Sequence, residues 1–343
     1  MKQNTYNTLQ NKHLLVTGGC GFIGSNFIHY AFAHISGVRI TNTDKLTYAG
    51  DKKNVDGVPR ERYRFVKGDI ADISLMRRLM KDADYVINFA AETHVDRSIH
   101  GEVDAFIHTN VLGVHSLLKA LQRSKSVKKM IHVSTDEVWG DLPIASRKKF
   151  DEHSPFLPNS PYAASKAMGD LLIRSYVKTY NLPVITTHAV NNFGPRQFPE
   201  KLIPFFTLRA LRGERLPLYG DGKNVRNWLH VDDHAEAILL LLVRGVSGDV
   251  YAISGNEERS NIEVAHKILD VLRRDKNLIT FIDDRPGHDR KYAINAAKLR
   301  KLGWRPRYSF EGAIANTVAW YIKNNGRNKR TTKRNIINKH IKL

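Results

Sequence analysis

The chain has 343 residues, 42% apolar and 26% charged, which makes it ordinary globular material for one large or two moderate domains and excludes a disordered class. Cys20 is the only cysteine, so no intrachain disulfide or cysteine-based zinc cluster is possible. A reducing, cytoplasmic setting is expected, since the polar first twelve residues lack a signal-peptide core and no apolar run is long enough to span a bilayer. The formal charge of +20 suits an anionic ligand; eight of the basic residues crowd into the acid-free stretch 323–343, leaving +12 for the rest.

Residues 1–12 read as a flexible lead-in, and residues 13–17 as a buried strand. Gly18-Gly-Cys-Gly-Phe-Ile-Gly24 follows before a helix begins. Glycines at 18, 21 and 24 permit a tight turn, close approach of a pyrophosphate and close helix–strand contact. A second strand, 38–43, ends in Asp44, twenty residues past Gly24. A carboxylate there can hold a ribose 2′-hydroxyl and repel a 2′-phosphate, which favours NAD over NADP. Strands at 62–67 and 84–89 alternate with helices at 74–81 and 103–124, which predicts βαβ units and a parallel sheet.

The strand 127–133 leads into Thr135, Asp136 and Glu137, just past its C-terminal end, where open α/β sheets place their ligands. A helix at 162–180 carries Tyr162 and Lys166 four residues apart, hence on one face. An ammonium beside a phenol favours phenolate and lowers its pKa from about 10 towards that of a useful base. Two adjacent carboxylates resist joint ionisation, so one of them can hold a proton at neutral pH.

A strand at 182–188 completes the first unit, 13–190, with about 225–255 expected to join it. Residues 191–224 and 256–325 then read as a smaller, discontinuous domain covering the open end of the sheet. An irregular loop (191–204) is followed by helices at 205–212, 232–244, 261–274 and 310–324 and strands at 216–219, 250–253 and 279–283. Residues 326–343 read as a basic disordered tail. Among His94, His100, His108 and His115, the first is expected in a pocket and the others in solvent or core; no metal site is expected.

Thr17-Gly-Gly-x-Gly-Phe-Ile-Gly24 with Tyr162-x-x-x-Lys166 resembles the extended short-chain dehydrogenase/reductases. Five further stretches are similar to the nucleotide-sugar 4,6-dehydratases among them: Asp44-Lys-Leu-Thr-Tyr-Ala-Gly50, Ala90-Ala-Glu-Thr-His-Val-Asp-Arg-Ser98, Ser134-Thr-Asp-Glu-Val138, Phe198-Pro-Glu-Lys-Leu-Ile-Pro204 and Arg285-Pro-Gly-His-Asp-Arg290. The resemblance covers about residues 13–325. Its most specific part is the triplet Thr135-Asp136-Glu137, because sister epimerases and decarboxylases usually lack the acidic pair. His188-Ala-Val190 departs from the family's usual Arg-Cys-Ser.

The resemblance implies a Rossmann-type doubly wound parallel sheet with a smaller discontinuous C-terminal α/β substrate domain, and a homodimer joined through helices 103–124 and 162–180. It implies NAD-dependent dehydration of dTDP-glucose or UDP-glucose to a 4-keto-6-deoxy sugar. Tyr162, held by Lys166, would take the 4-hydroxyl proton, and Thr135 would bond the oxygen at carbon 4. Glu137 would take the proton from carbon 5, and Asp136 would protonate the leaving 6-hydroxyl. NAD would be lined by Gly18, Gly21, Phe22, Ile23 and Gly24, by Asp44, Lys45, Leu46 and Thr47, by Asp69, Ile70, Ala90, Ala91, Thr93 and Thr109, and by Tyr162, Lys166 and Asn192. The sugar nucleotide would meet His94, Thr135, Asn191, Lys201, Leu202 and Tyr219, and further on Arg226, Asn261, Arg285, His288 and Tyr292. Arg226 and Arg285 suit its pyrophosphate, because guanidinium forks match phosphate oxygens.

Two other readings stand beside this one. A sugar-nucleotide 4-epimerase or decarboxylase of the same fold is disfavoured by Asp136-Glu137. A nucleic-acid-binding protein on a retained Rossmann fold is suggested by the charge and the tail.

Overall fold

The computed structural model describes residues 5–101 and 103–324; the basic tail expected at 326–343 lies outside them. The chain alternates as expected through its first half. Strands β1 (His13–Thr17), β2 (Arg39–Asp44), β3 (Tyr63–Lys67), β4 (Tyr85–Asn88), β5 (Lys129–Thr135) and β6 (Val184–Ala189) are separated by helices. These are α1 (Phe22–His34), α2 (Ile73–Met80), α3 (Val95–His100), α4 (Asp104–Ile107), α5 (Val114–Leu121) and α6 (Pro161–Tyr180). Beyond lie β7 (Asn191–Phe193), α7 (Leu202–Leu211), β8 (Leu216–Tyr219), β9 (Val225–His230), α8 (Val231–Arg244), β10 (Val250–Ile253), β11 (Glu257–Ser260), α9 (Asn261–Leu272), β12 (Ile279–Ile282), α10 (Ala297–Lys301) and α11 (Phe310–Lys323).

Seven strands form one sheet in the order β10-β6-β5-β4-β1-β2-β3, and every pairing within it is parallel. The order reverses between β1 and β4. At that switch point the loops at the strand ends diverge and open a crevice. The inner strands read as near-continuous apolar runs because helices cover both faces. α1 and α8 pack together on one face, α2, α5 and α6 on the other.

The second layer is built from small sheets. β9 pairs with β7 in parallel and with β11 antiparallel, while β12 pairs with β8. So β9, expected with the first unit, belongs to the three-stranded sheet; of the stretch 225–255, α8 and β10 join the large layer. The switch was hidden because β7 is only three residues long, inside a stretch that reads as loop. Helices α7, α9 and α11 close over a separate apolar core around Phe193, Trp228 and Phe310.

Two local expectations change. Residues 6–12 are not a loose lead-in: a 3-10 turn at Asn7–Leu9 seats Tyr6 and Leu9 in the large core. The helix expected at 103–124 widens into a π turn at His108–Gly113 between α4 and α5. There the carbonyl of Asn110 meets α6 so closely that a Cβ on Gly169 would sit 2.6 Å from it.

Candidate active site

β5 delivers the reactive groups to the crevice. Thr135 ends the strand and accepts a hydrogen bond from the Glu137 N–H (3.3 Å), which fixes the short turn Asp136–Trp139. Asp136 is 3% exposed. Its Oδ1 accepts from the Thr135 hydroxyl (3.4 Å), and its Oδ2 is buried with no partner. Burial, then the charge of Glu137, pushes the Asp136 carboxyl up to about 8, so it carries a proton at neutral pH. Burial raises Glu137 as well, opposed by the charges of Arg285 and Arg226. The turn therefore offers a proton donor and an acceptor side by side.

α6 brings the phenol and the amine. Ser160 caps it by accepting from the Ala163 N–H (3.1 Å), and Pro161 occupies the first turn, where its missing N–H costs nothing. Tyr162 and Lys166 are both buried below this end. One expectation is overturned here. The phenol of Tyr162 is not acidified but held well above the usual tyrosine value, first by burial and then by Glu137; a hydrogen bond with Thr135 opposes the shift. Lys166 instead donates to the carbonyl of Val133 (2.9 Å).

A cavity of ≈ 250 Å³ faces Glu137. Its wall includes His94, Asn191, Lys201, Leu202 and Tyr219, together with Arg226, Asn261, Arg285, His288 and Tyr292, all anticipated from the sequence. Burial lowers His94 and His288 each to about 4, so both rings are neutral. Arg226 stacks on Tyr292 (4.2 Å) and donates to the Asp289 carbonyl (2.9 Å). Arg285 reaches Asp96 (3.3 Å) and keeps a buried Nε–H without a partner. Two stacked or half-paired guanidinium groups suit the phosphates of a sugar nucleotide.

The glycine turn forms a second cleft. Gly18 takes φ +70, and a Cβ there would lie 2.6 Å from the Ala90 nitrogen; one on Gly24 would meet the Gly18 carbonyl at 2.5 Å. This cradle is open only because side chains are missing, and it fits a dinucleotide pyrophosphate at the start of α1. Gly18, Gly21, Asp44, Lys45 and Thr47 line it, as do Asp69, Ile70, Ala90, Ala91 and Thr109. The Asp44 carboxylate accepts the N–H groups of Cys20 (2.9 Å) and Leu46 (2.7 Å), which holds it at the cleft.

Other expected cofactor residues lie outside that lining. Phe22 and Ile23 open α1, and Gly24 serves the close packing there. Leu46 is turned aside at φ +59 by its bond to Asp44. The Thr93 carbonyl is taken by the Lys201 ammonium (2.9 Å), and the Asn192 amide is held by His234 (3.0 Å) and the Val190 carbonyl (2.9 Å).

Some groups went unforeseen. His100, expected in solvent or core, lines the cavity, and so does Glu200. Tyr48 donates to Glu200 (2.9 Å) and carries the Arg97 guanidinium 4.4 Å over its ring. Both residues lie in motif stretches noted above, but no spacing rule joins residue 48 to residue 200. Among the described residues, no group of three or more His, Cys, Asp or Glu is disposed to hold a metal ion, and no helix is long and apolar enough to cross a membrane.

Comparison with known proteins agrees with this geometry. The GDP-mannose 4,6 dehydratase family model matches residues 15–317. The dTDP-glucose 4,6-dehydratase of Xanthomonas campestris pv. campestris (strain B100) is 49% identical, covering 90% of this chain and 93% of that protein. The dTDP-glucose 4,6-dehydratase of Bacillus anthracis, solved in complex with NAD, superposes with a TM-score of 0.87 at 44% identity, over 93% of this chain and 99% of that one. The UDP-glucose 4-epimerase of Thermotoga maritima reaches a TM-score of 0.83 at only 28% identity, over 91% and 99%.

Proposed function

We propose a role for each active-site residue from one premise: the chain belongs to the nucleotide-sugar 4,6-dehydratases of the extended short-chain dehydrogenase/reductase family, with the dTDP-glucose 4,6-dehydratases. It is an NAD-dependent hydro-lyase that converts dTDP-glucose to the 4-keto-6-deoxy sugar nucleotide. The observation that carries the residue assignments is the turn after β5, where a buried, protonated Asp136 stands next to a half-buried Glu137 that lines a cavity edged with guanidinium groups.

NAD, when bound, would supply the acceptor for hydride from carbon 4, the donor for carbon 6 and, in its oxidised nicotinamide, a positive charge. Gly18, Gly21, Asp44 and Asp69 would hold that cofactor, and the charge of Lys166 would favour the phenolate of Tyr162. Burial and Glu137 hold back the phenolate of Tyr162, and the positive charges of Lys166 and of oxidised NAD would favour it; Tyr162 would then take the proton of the 4-hydroxyl, while Thr135 donates to the oxygen left on carbon 4. The ketone there acidifies the hydrogen on carbon 5, which Glu137 removes and replaces with a proton when hydride arrives at carbon 6. Asp136 gives its proton to the departing 6-hydroxyl, and the unpartnered Oδ2 is the atom free to do so. Arg226 and Arg285 hold the diphosphate, His94 and Lys201 the sugar. Incubation with dTDP-glucose and UDP-glucose separately, with products identified by mass and NMR, tests this. The expected result is a 4-keto-6-deoxy product formed faster from dTDP-glucose; a 4-epimer as sole product would overturn the assignment.

The pH dependence follows from Asp136. Its carboxyl is raised from the ordinary 3.8 to about 8, so the donor form is complete in mildly acid and neutral solution and is lost as pH rises through that value. A plot of kcat against pH should therefore fall on its alkaline side, and a profile level to pH about 10 contradicts the donor role.

A homodimer is the second part of the proposal. Leu112 on the π turn and Leu171 on α6 are 52% and 53% exposed, on two segments that pack against each other. Pairing these helices with a second copy buries both in a four-helix interface. Replacing both leucines by Asp should convert the dimer to monomer in light scattering; an unchanged mass would remove this interface.

A further inference from the structure

Behind Lys166 the fold buries polar groups that the mechanism above does not use. Asp170 follows Lys166 by one helical turn on α6 and is 4% exposed. Its Oδ2 accepts from the Ser134 hydroxyl (2.7 Å) and from His188 Nε2 (3.0 Å). His132 Nε2 stands 3.6 Å from Oδ1. The His132 Nδ1 meets the Asn88 amide nitrogen (2.9 Å), so the ring accepts there and turns its own N–H towards Asp170. Donors from β5 and β6 thus converge on one carboxylate; burial raises it, but His188, His132 and Lys166 together hold it below the ordinary aspartate range.

Lys166 needs such a partner. Burial pulls its amine down to about 8, and the charge of Asp170 opposes that fall. Around the amine, α6 packs on β5, β6 and the turn beyond β5, and each brings ionisable groups. On its own helix, Tyr162 is held protonated. On β5, His132 is held neutral by burial, lowered to about 3. His188 faces Asp170 from β6, and the protonated Asp136 and the cavity-facing Glu137 lie on the turn beyond β5.

We propose that Asp170 is a positioning residue for the dehydratase reaction: a built-in anion, fixed by Ser134 and His188, that keeps the Lys166 ammonium charged and seated below Tyr162. The proposal rests on the reading of Tyr162 and Lys166 as the proton-transferring pair. A neutral amine here no longer favours the phenolate, so turnover fails when Lys166 loses its charge.

The test compares Asp170→Asn and Asp170→Ser, which remove the charge, with Asp170→Glu, which keeps it, in the full chain with NAD and dTDP-glucose. If the Asn variant fails to fold, the Ser and Glu pair gives the same contrast. Asp136 loses its proton in the same pH range, so Lys166 is read directly, through the ¹³Cε resonance of ¹³C-lysine protein assigned with Lys166→Arg. Loss of a neighbouring opposite charge moves a pKa by about one to three units. The Lys166 midpoint should therefore move acidward by about that much in the neutral variants, with kcat following and KM unchanged, and return in Asp170→Glu. An unmoved midpoint in the neutral variants, in a parent that makes the keto sugar, overturns the proposal alone; so does a Glu variant that titrates like Asn. A parent that makes no keto sugar sinks the underlying reading instead.

Discussion

Glu137→Gln should leave the fold intact and slow water loss by about 10²–10⁴-fold, the usual worth of a placed general base. The amide matches the carboxylate in shape but cannot take the carbon-5 proton. Oxidation at carbon 4 does not need Glu137, so the sugar should stall as the 4-ketone. In D2O the stalled sugar should then take up no deuterium at carbon 5, whereas the parent enzyme should place deuterium there. A second effect follows from the pair itself. The charge of Glu137 is one of the two causes that raise Asp136, after burial. Its removal should shift the alkaline fall of kcat to lower pH. Wild-type exchange at carbon 5 in the Gln variant would show that another group is the base.

Tyr162→Phe carries the other large effect, a fall in kcat of about 10²–10⁴-fold with KM little changed. The ring should remain packed, because its edge contact with Phe106 (6.4 Å between centroids) involves no hydroxyl. Stability should change by about 1 kcal/mol, the net worth of one hydrogen bond, here that with Thr135. Thermal melting beside steady-state kinetics separates the two: a variant that melts like the parent but barely turns over fixes the phenol in the chemistry, whereas parental kcat removes it.

The large sheet was readable because its signals are local. A strand, three glycines and a helix in that order admit few other folds, and Asp136-Glu137 follows a strand end whose position in an α/β sheet is known in advance. The cavity wall came from motif resemblance, not from periodicity; nothing in the spacing of Arg226, Arg285 and Tyr292 brings them together. What stayed hidden was set by partners far away in sequence. The π turn at His108–Gly113 serves Asn110, whose side chain bonds the Glu92 backbone (3.0 Å for each of two bonds) and the Ser165 hydroxyl (2.8 Å). The short β7 looks like loop until β9 lies beside it. The phenol of Tyr162 was misjudged for the same reason: an i,i+4 rule sees Lys166 but not the carboxylates of the β5 turn or the depth of burial around them.

The central claim is that one site removes hydrogen from carbon 4, expels water across carbons 5 and 6, and restores the same hydrogen at carbon 6. Turnover of dTDP-glucose bearing deuterium at carbon 4 tests it most directly. The product should be the 4-keto-6-deoxy sugar with the deuterium on carbon 6, seen by ²H NMR and mass. Deuterium retained at carbon 4 of an epimer, or lost to solvent, would contradict the account.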